Sequence, residues 1–100
     1  MSKVKHIALL KFKDGTSEEQ INKLFDELLD LSESVDGIED YVSGVNISPE
    51  GKSNGLTHGF IMTFSNAAAR DAYLGNAEHQ KFEANAAAVV DSVVVVDFEV

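Results

Sequence analysis

The segment DAYLGNAEHQKF, residues 71 to 82, sets a phenol and an imidazole on either side of a helix breaker: Tyr73 and His79 flank Gly75 and Asn76. On one unbroken helix the step between them turns through roughly 600°, leaving the side chains roughly 120° apart. A break at Gly75 and Asn76 frees the second segment to reorient, so that both groups can aim into one pocket. The pair has chemistry available to it. An imidazole with a reference pKa of about 6.5 takes up a proton at neutral pH, and a tyrosine hydroxyl holds a carbonyl oxygen as negative charge develops on it. With His79 as base and Tyr73 as oxyanion donor, enolisation or aldol chemistry needs no metal and no cofactor. The plainer alternative is that the two residues cap helices and fill space, while His6 and His58 hydrogen-bond each other or backbone carbonyls in a packed core.

Other chemistries find little support. The three histidines lie at 6, 58 and 79 with no short-range ligand pair of the H-x-x-x-H kind, so a metal site is not expected. Gly51 and Gly55 have no Lys-Ser/Thr following them and do not make a phosphate cradle. The chain has no cysteine, which removes disulfides, thiolate nucleophiles and Cys-type zinc. Eight basic against seventeen acidic side chains give a net charge of -9, which repels phosphate backbones and anionic lipid, so neither nucleic acid nor a membrane surface is an expected partner. No apolar run is long enough to span a bilayer, and MSKVKHIALLKFK lacks the long apolar core and the cleavage site of a signal peptide; a cytoplasmic protein is expected.

One hundred residues make a single domain, and its elements can be read in order. VKHIALLKF (residues 4 to 12) reads as a strand with His6, Ala8, Leu10 and Phe12 on one face and Lys5, Ile7, Leu9 and Lys11 on the other. Thr16 and Glu19 suggest a capping box, followed by a helix with Ile21, Leu24, Phe25, Leu28 and Leu29 as its apolar stripe, ending before Gly37. Residues 38 to 47 form a second strand, residues 48 to 55 a surface loop, and LTHGFIMTFS a third strand with His58, Phe60, Met62 and Phe64 facing one way. Residues 66 to 74 and 77 to 90 are alanine-rich helical segments, and SVVVVDFEV closes the chain as a β-branched strand.

The order βαββαβ is that of ferredoxin-like α+β domains. We expect the first and third strands to be adjacent and parallel, with His6 and His58 neighbours at their starts and the helices over that face. The opposite face carries Ile7, Leu9, Val42, Ile61 and one set of the final valines, an apolar patch that two-fold pairing of sheets into a barrel would cover; a homodimer is expected.

Four stretches, VKHIALLKFKDGTSEEQI, EGKSNGLTHGFIMTFSNAAARDAYL, AEHQKF and VVVVDFEV, together resemble the stress-responsive A/B barrel domain (Dabb) family from about residue 3 to residue 100. The resemblance implies a dimeric α+β barrel. One branch of the family, a plant polyketide cyclase, performs an aldol-type cyclisation without cofactor. Likeness to that branch implies Tyr73 and His79 as the catalytic pair, with His6 and His58 lining the pocket; Phe60, in the row that His58 heads, joins them as a candidate substrate contact. Many relatives carry His-Pro where this chain has Gly75 and Asn76, but Asn76 can still cap the second segment through the N–H of Glu78 or His79. Two functions are expected from this reading: foremost a small homodimeric barrel that holds a hydrophobic small molecule or acts protectively, and as its alternative a cofactor-free lyase or cyclase.

Overall fold

In β1 (Val4–Phe12) every second side chain, Val4, His6, Ala8, Leu10 and Phe12, is buried, as the alternation requires of a strand with one covered face. The computed structural model describes residues 2–100, and six further elements follow. They are α1 (Glu18–Ser34), β2 (Ile38–Val45), β3 (His58–Phe64), α2 (Ala67–Leu74), α3 (Ala77–Ala87) and β4 (Val90–Glu99). The strands form one sheet in the order β2-β3-β1-β4, and every neighbouring pair is antiparallel. This is an α+β ferredoxin-like fold.

The antiparallel β1–β3 pairing corrects the parallel arrangement expected above. A right-handed crossover through α1 makes β2 parallel to β1, but the β2–β3 hairpin then reverses direction, so β3 must run opposite to β1. The register follows: His6 pairs with Met62 and Leu10 with His58. His6 and His58 share a face but lie at its opposite ends, four residues apart along β1 or roughly 13 Å at strand rise.

The start of α1 differs from expectation by one residue. Ser17 is the cap: its hydroxyl accepts from the Gln20 N–H at 3.1 Å while the Gln20 side chain accepts from the Ser17 N–H at 2.9 Å. Thr16 cannot serve because its hydroxyl donates to the Lys13 carbonyl at 2.6 Å, closing the preceding turn. The buried stripe is Ile21, Leu24, Leu28 and Leu31, with Phe25 packed at its margin. Leu29, expected inside, is 44% exposed, because the i, i+3, i+7, i+10 course rotates it off the sheet and brings Leu31 on.

Leu28, Met62 and Phe64 are wholly withdrawn from solvent where α1 meets the middle of the sheet. Each such side chain stabilises the fold by about 1.5–3 kcal/mol. Gly37, with φ of 92°, turns the chain from α1 into β2 against α2, and a Cβ there would come within 2.6 Å of the Ala69 Cβ.

The helices do not cover the whole inner face. On β4 the inward valines Val93 and Val95 remain 52% and 53% exposed, so a cleft opens between α3 and the β4 edge. The outer face is open and apolar: Leu9, Val42, Val94 and Val96 are each 40% exposed or more. Lys5 also lies in this face, its Nζ donating to the buried Thr63 hydroxyl at 2.8 Å. Among the described residues no helix is long and apolar enough to cross a membrane.

Candidate active site

The helix break sets the geometry of Tyr73 and His79. Gly75 ends α2, its N–H donating to the Asp71 carbonyl at 3.2 Å, and Asn76 donates to the Tyr73 carbonyl at 3.0 Å. Asn76 then caps α3, its side-chain oxygen accepting from Glu78 N–H at 2.8 Å and His79 N–H at 3.4 Å. Two helices with separate axes replace one, and the Tyr73 and His79 rings come to 4.2 Å between centroids, tilted by 46°.

The two rings have different surroundings. Tyr73 is 1% exposed and packs on Phe64 at 5.2 Å. Its burial, with the negative charge of Glu83 and then Tyr41 adding to it, holds the phenol protonated far above the ordinary tyrosine range. His79 is also buried but lines the cleft, which has a volume of about 720 Å³. The Glu83 carboxylate, one turn on, lies 3.1 Å from His79 Nδ1 without the alignment of a hydrogen bond, so Nδ1 is a buried polar atom lacking a bonded partner.

His6 enters the same cleft from β1. Its Nδ1 lies 2.8 Å from Asp97 Oδ1 on β4, and the other Asp97 oxygen accepts from Arg70 on α2 at 2.7 Å. Arg70 also donates to Asp71 at 2.8 Å; Asp97 first and Asp71 second hold its guanidinium even more firmly charged than usual. A carboxylate only accepts, so the hydrogen of this bond sits on His6 Nδ1, and a neutral ring keeps Nε2 as an acceptor. Phe60, Phe64 and Tyr73 surround the imidazole at 6.1, 6.0 and 6.4 Å between centroids.

Of the candidates read from the sequence, His6, His79 and Phe60 line the cleft and Tyr73 stands behind His79. His58 does not join them. It sits between Phe12, edge-on at 5.1 Å, and Phe25, stacked at 5.7 Å, with Nδ1 2.8 Å from the Thr57 hydroxyl. The separation follows from the antiparallel register. The cleft is not plugged by aromatic rings, as a closed barrel would require: Phe12 and Phe64 belong to the packed core, while Phe60 and Phe82 form walls.

Three participants escape a reading by sequence alone: Asp97, Arg70 and Glu83. Glu83 had a local signal, since it follows His79 at i+4. Asp97 follows a run of four valines, at a position whose inward direction emerges only once β4 is paired to β1. Arg70 reaches it across 27 residues of chain. Among the described residues no group of three or more histidine or acidic side chains is placed to hold a metal ion.

A model of the stress responsive A/B barrel domain matches residues 4–100. The stress-response A/B barrel domain-containing protein HS1 of Arabidopsis thaliana is 31% identical over 96 residues, covering 96% of this chain and 88% of that one. Olivetolic acid cyclase of Cannabis sativa is 29% identical over 79 residues, 79% of this chain and 78% of that protein. Among solved structures, a dimeric ferredoxin-like protein of unknown function from Jannaschia sp. CCS1 superposes with a TM-score of 0.88 at 28% identity, covering 98% of this chain and 99% of its own. With the match running from β1 to the end of β4, the chain belongs to the stress-responsive A/B barrel domain family.

Proposed function

We propose that the cleft between α3 and β4 holds a small, largely apolar carbonyl compound and acts on it as a cofactor-independent lyase or cyclase. His79 takes a proton from the carbon next to the carbonyl and the C–H electrons pass into an enolate, while Tyr73, packed against the His79 ring from behind, positions that base. His6, oriented through Nδ1 by Asp97, offers Nε2 as a second acceptor for a substrate hydroxyl. The observation that carries this reading is His79 itself, buried yet on the wall of an open cleft, with the Glu83 carboxylate 3.1 Å from its Nδ1 and the Tyr73 ring against its own. Similarity to a protein named as a cyclase supports it.

The test is deuterium exchange at the α-carbon of octane-2,4-dione in heavy water, followed by NMR. Exchange faster than in buffer, and lost on His79→Gln, is the expected result. Binding of the diketone with no acceleration assigns the cleft to ligand holding without turnover, the protective reading. Absence of both removes the site.

We further infer a homodimer formed through the outer sheet face. Leu9, Val42, Val94, Val96 and Phe98 are 40 to 53% exposed there, a larger contiguous apolar surface than a lone protomer ordinarily leaves wet. The description of the Jannaschia structure as dimeric supports the same reading. Sedimentation velocity at micromolar concentration should give twice the 10.8 kDa chain mass, and Val94→Lys with Val96→Lys should reduce it to one.

A further inference from the structure

The charge around the cleft carries a consequence for what it admits. Glu83, Asp91 and Asp97 all line it, and no lysine or arginine does. Their surroundings differ. Asp97 is matched by Arg70 at 2.7 Å and bonded by His6, so its charge is largely spent inside the protein. Asp91 has only Lys11, 3.8 Å away with both side chains about half exposed. Among the described residues Glu83 makes no ion pair with a lysine or arginine, its nearest polar partner being His79 Nδ1 at 3.1 Å, and its side chain is 62% exposed. Between these acids and the buried, unpartnered His79 Nδ1 the lining is aliphatic and aromatic: Leu10, Phe60, Phe82, Val93 and Val95 among others. The whole chain, at -9, adds to the same negative field.

We infer that the cleft selects an uncharged carbonyl compound and rejects its carboxylate counterpart, with Glu83 and Asp91 as the specificity-determining residues. The inference rests on the ligand-holding role proposed above for this cleft and names the class of ligand. An anionic group would lose hydration on the apolar walls and meet two acidic side chains at the mouth, where the nearby ammonium groups, Lys11 beside Asp91 and Lys13 on the Ala87 carbonyl, are solvent-exposed and point to neighbours of their own. A ketone, ester or diketone has less hydration to lose on those walls and meets no charge repulsion at the mouth. Two unit charges at several ångströms in a largely solvated mouth make a discrimination of about tenfold.

The matched probes are 4-oxononanoate and its methyl ester, titrated at low ionic strength into the full chain while the His6 and His79 ring resonances are followed by NMR. The ester should bind about tenfold more tightly. Glu83→Lys, and separately Asp91→Lys, should narrow or invert that ratio, the second variant leaving the His79 neighbourhood untouched. Raising salt to 1 M, where the screening length falls to about 3 Å, should also narrow it. Equal or tighter binding of the keto acid overturns the inference while leaving the ligand-holding role standing, and so does a ratio that ignores both salt and the lysine variants. If neither probe moves the histidine resonances, the ligand-holding role falls and takes the inference with it.

Discussion

His6 and His58 occupy equivalent-looking positions, each inward on a central strand and each in a row of apolar neighbours, yet their surroundings share almost nothing. His6 is bonded to Asp97, backed by Arg70, and opens on the cleft. His58 is sandwiched between Phe12 and Phe25 with only the adjacent Thr57 hydroxyl for company. The same side chain is thus an oriented hydrogen-bonding group at one end of the face and an aromatic spacer at the other. The difference arises from what the opposing elements carry: an acid on β4 and a guanidinium on α2 at the first end, two phenylalanines at the second.

The contrast can be broken from either end. The largest effect is expected from Phe64→Ala, which removes the ring that packs on both Tyr73 and His6 and leaves a cavity; about 3–5 kcal/mol should be lost in urea unfolding. Next, His79→Gln should reduce α-carbon exchange by about 10²-fold or more, equivalent to about 3 kcal/mol in the barrier, with unfolding stability changed far less. Arg70→Gln strips Asp97 of its cation at the His6 end and should lower the urea midpoint of unfolding measurably, whereas removing the His58 contact to Thr57 should leave it nearly unmoved.

Tyr73 gives a pH signature at the same end. Its folded-state pKa is raised, so its stabilising protonation is fully present below the unfolded value near 10 and is lost as pH rises above it, because the unfolded chain ionises first. Stability should fall by about 1.4 kcal/mol per pH unit there, and Tyr73→Phe should remove that slope between pH 10 and 12. The smallest effect is reserved for His58→Phe, which keeps the aromatic stack; a change within about 0.5 kcal/mol and unaltered exchange kinetics are expected.

Most of the fold is legible in local pattern because local pattern causes it. Alternation in β1 and β3 names the inward rows, the cap at Asn76 sits where a helix must restart, and the break between Tyr73 and His79 brings their rings into contact, with His79 on the cleft wall and Tyr73 behind it rather than both in one pocket. What depends on strand direction is not legible in the same way. Alternation is blind to direction, so the His6 row reads identically whether β3 runs along it or against it, and only the hairpin count decides. The Asp97 partnership to His6 spans 91 residues and requires both that direction and the β1–β4 register. Two smaller departures have local causes: the Thr16 hydroxyl is engaged by the Lys13 carbonyl, which leaves the cap to Ser17, and the buried course of α1 continues at i+10 to Leu31 instead of turning to Leu29.

β4 ends the sheet, so one side of its backbone has no strand to bond, and four consecutive valines stand along it. Such a ribbon is a ready seed for fibril growth. Asp91 and Glu99 flank it with like charge that keeps two molecules from laying these ribbons side by side. Removing that charge, as Asp91→Asn with Glu99→Gln would, therefore threatens the protein's colloidal survival before its fold.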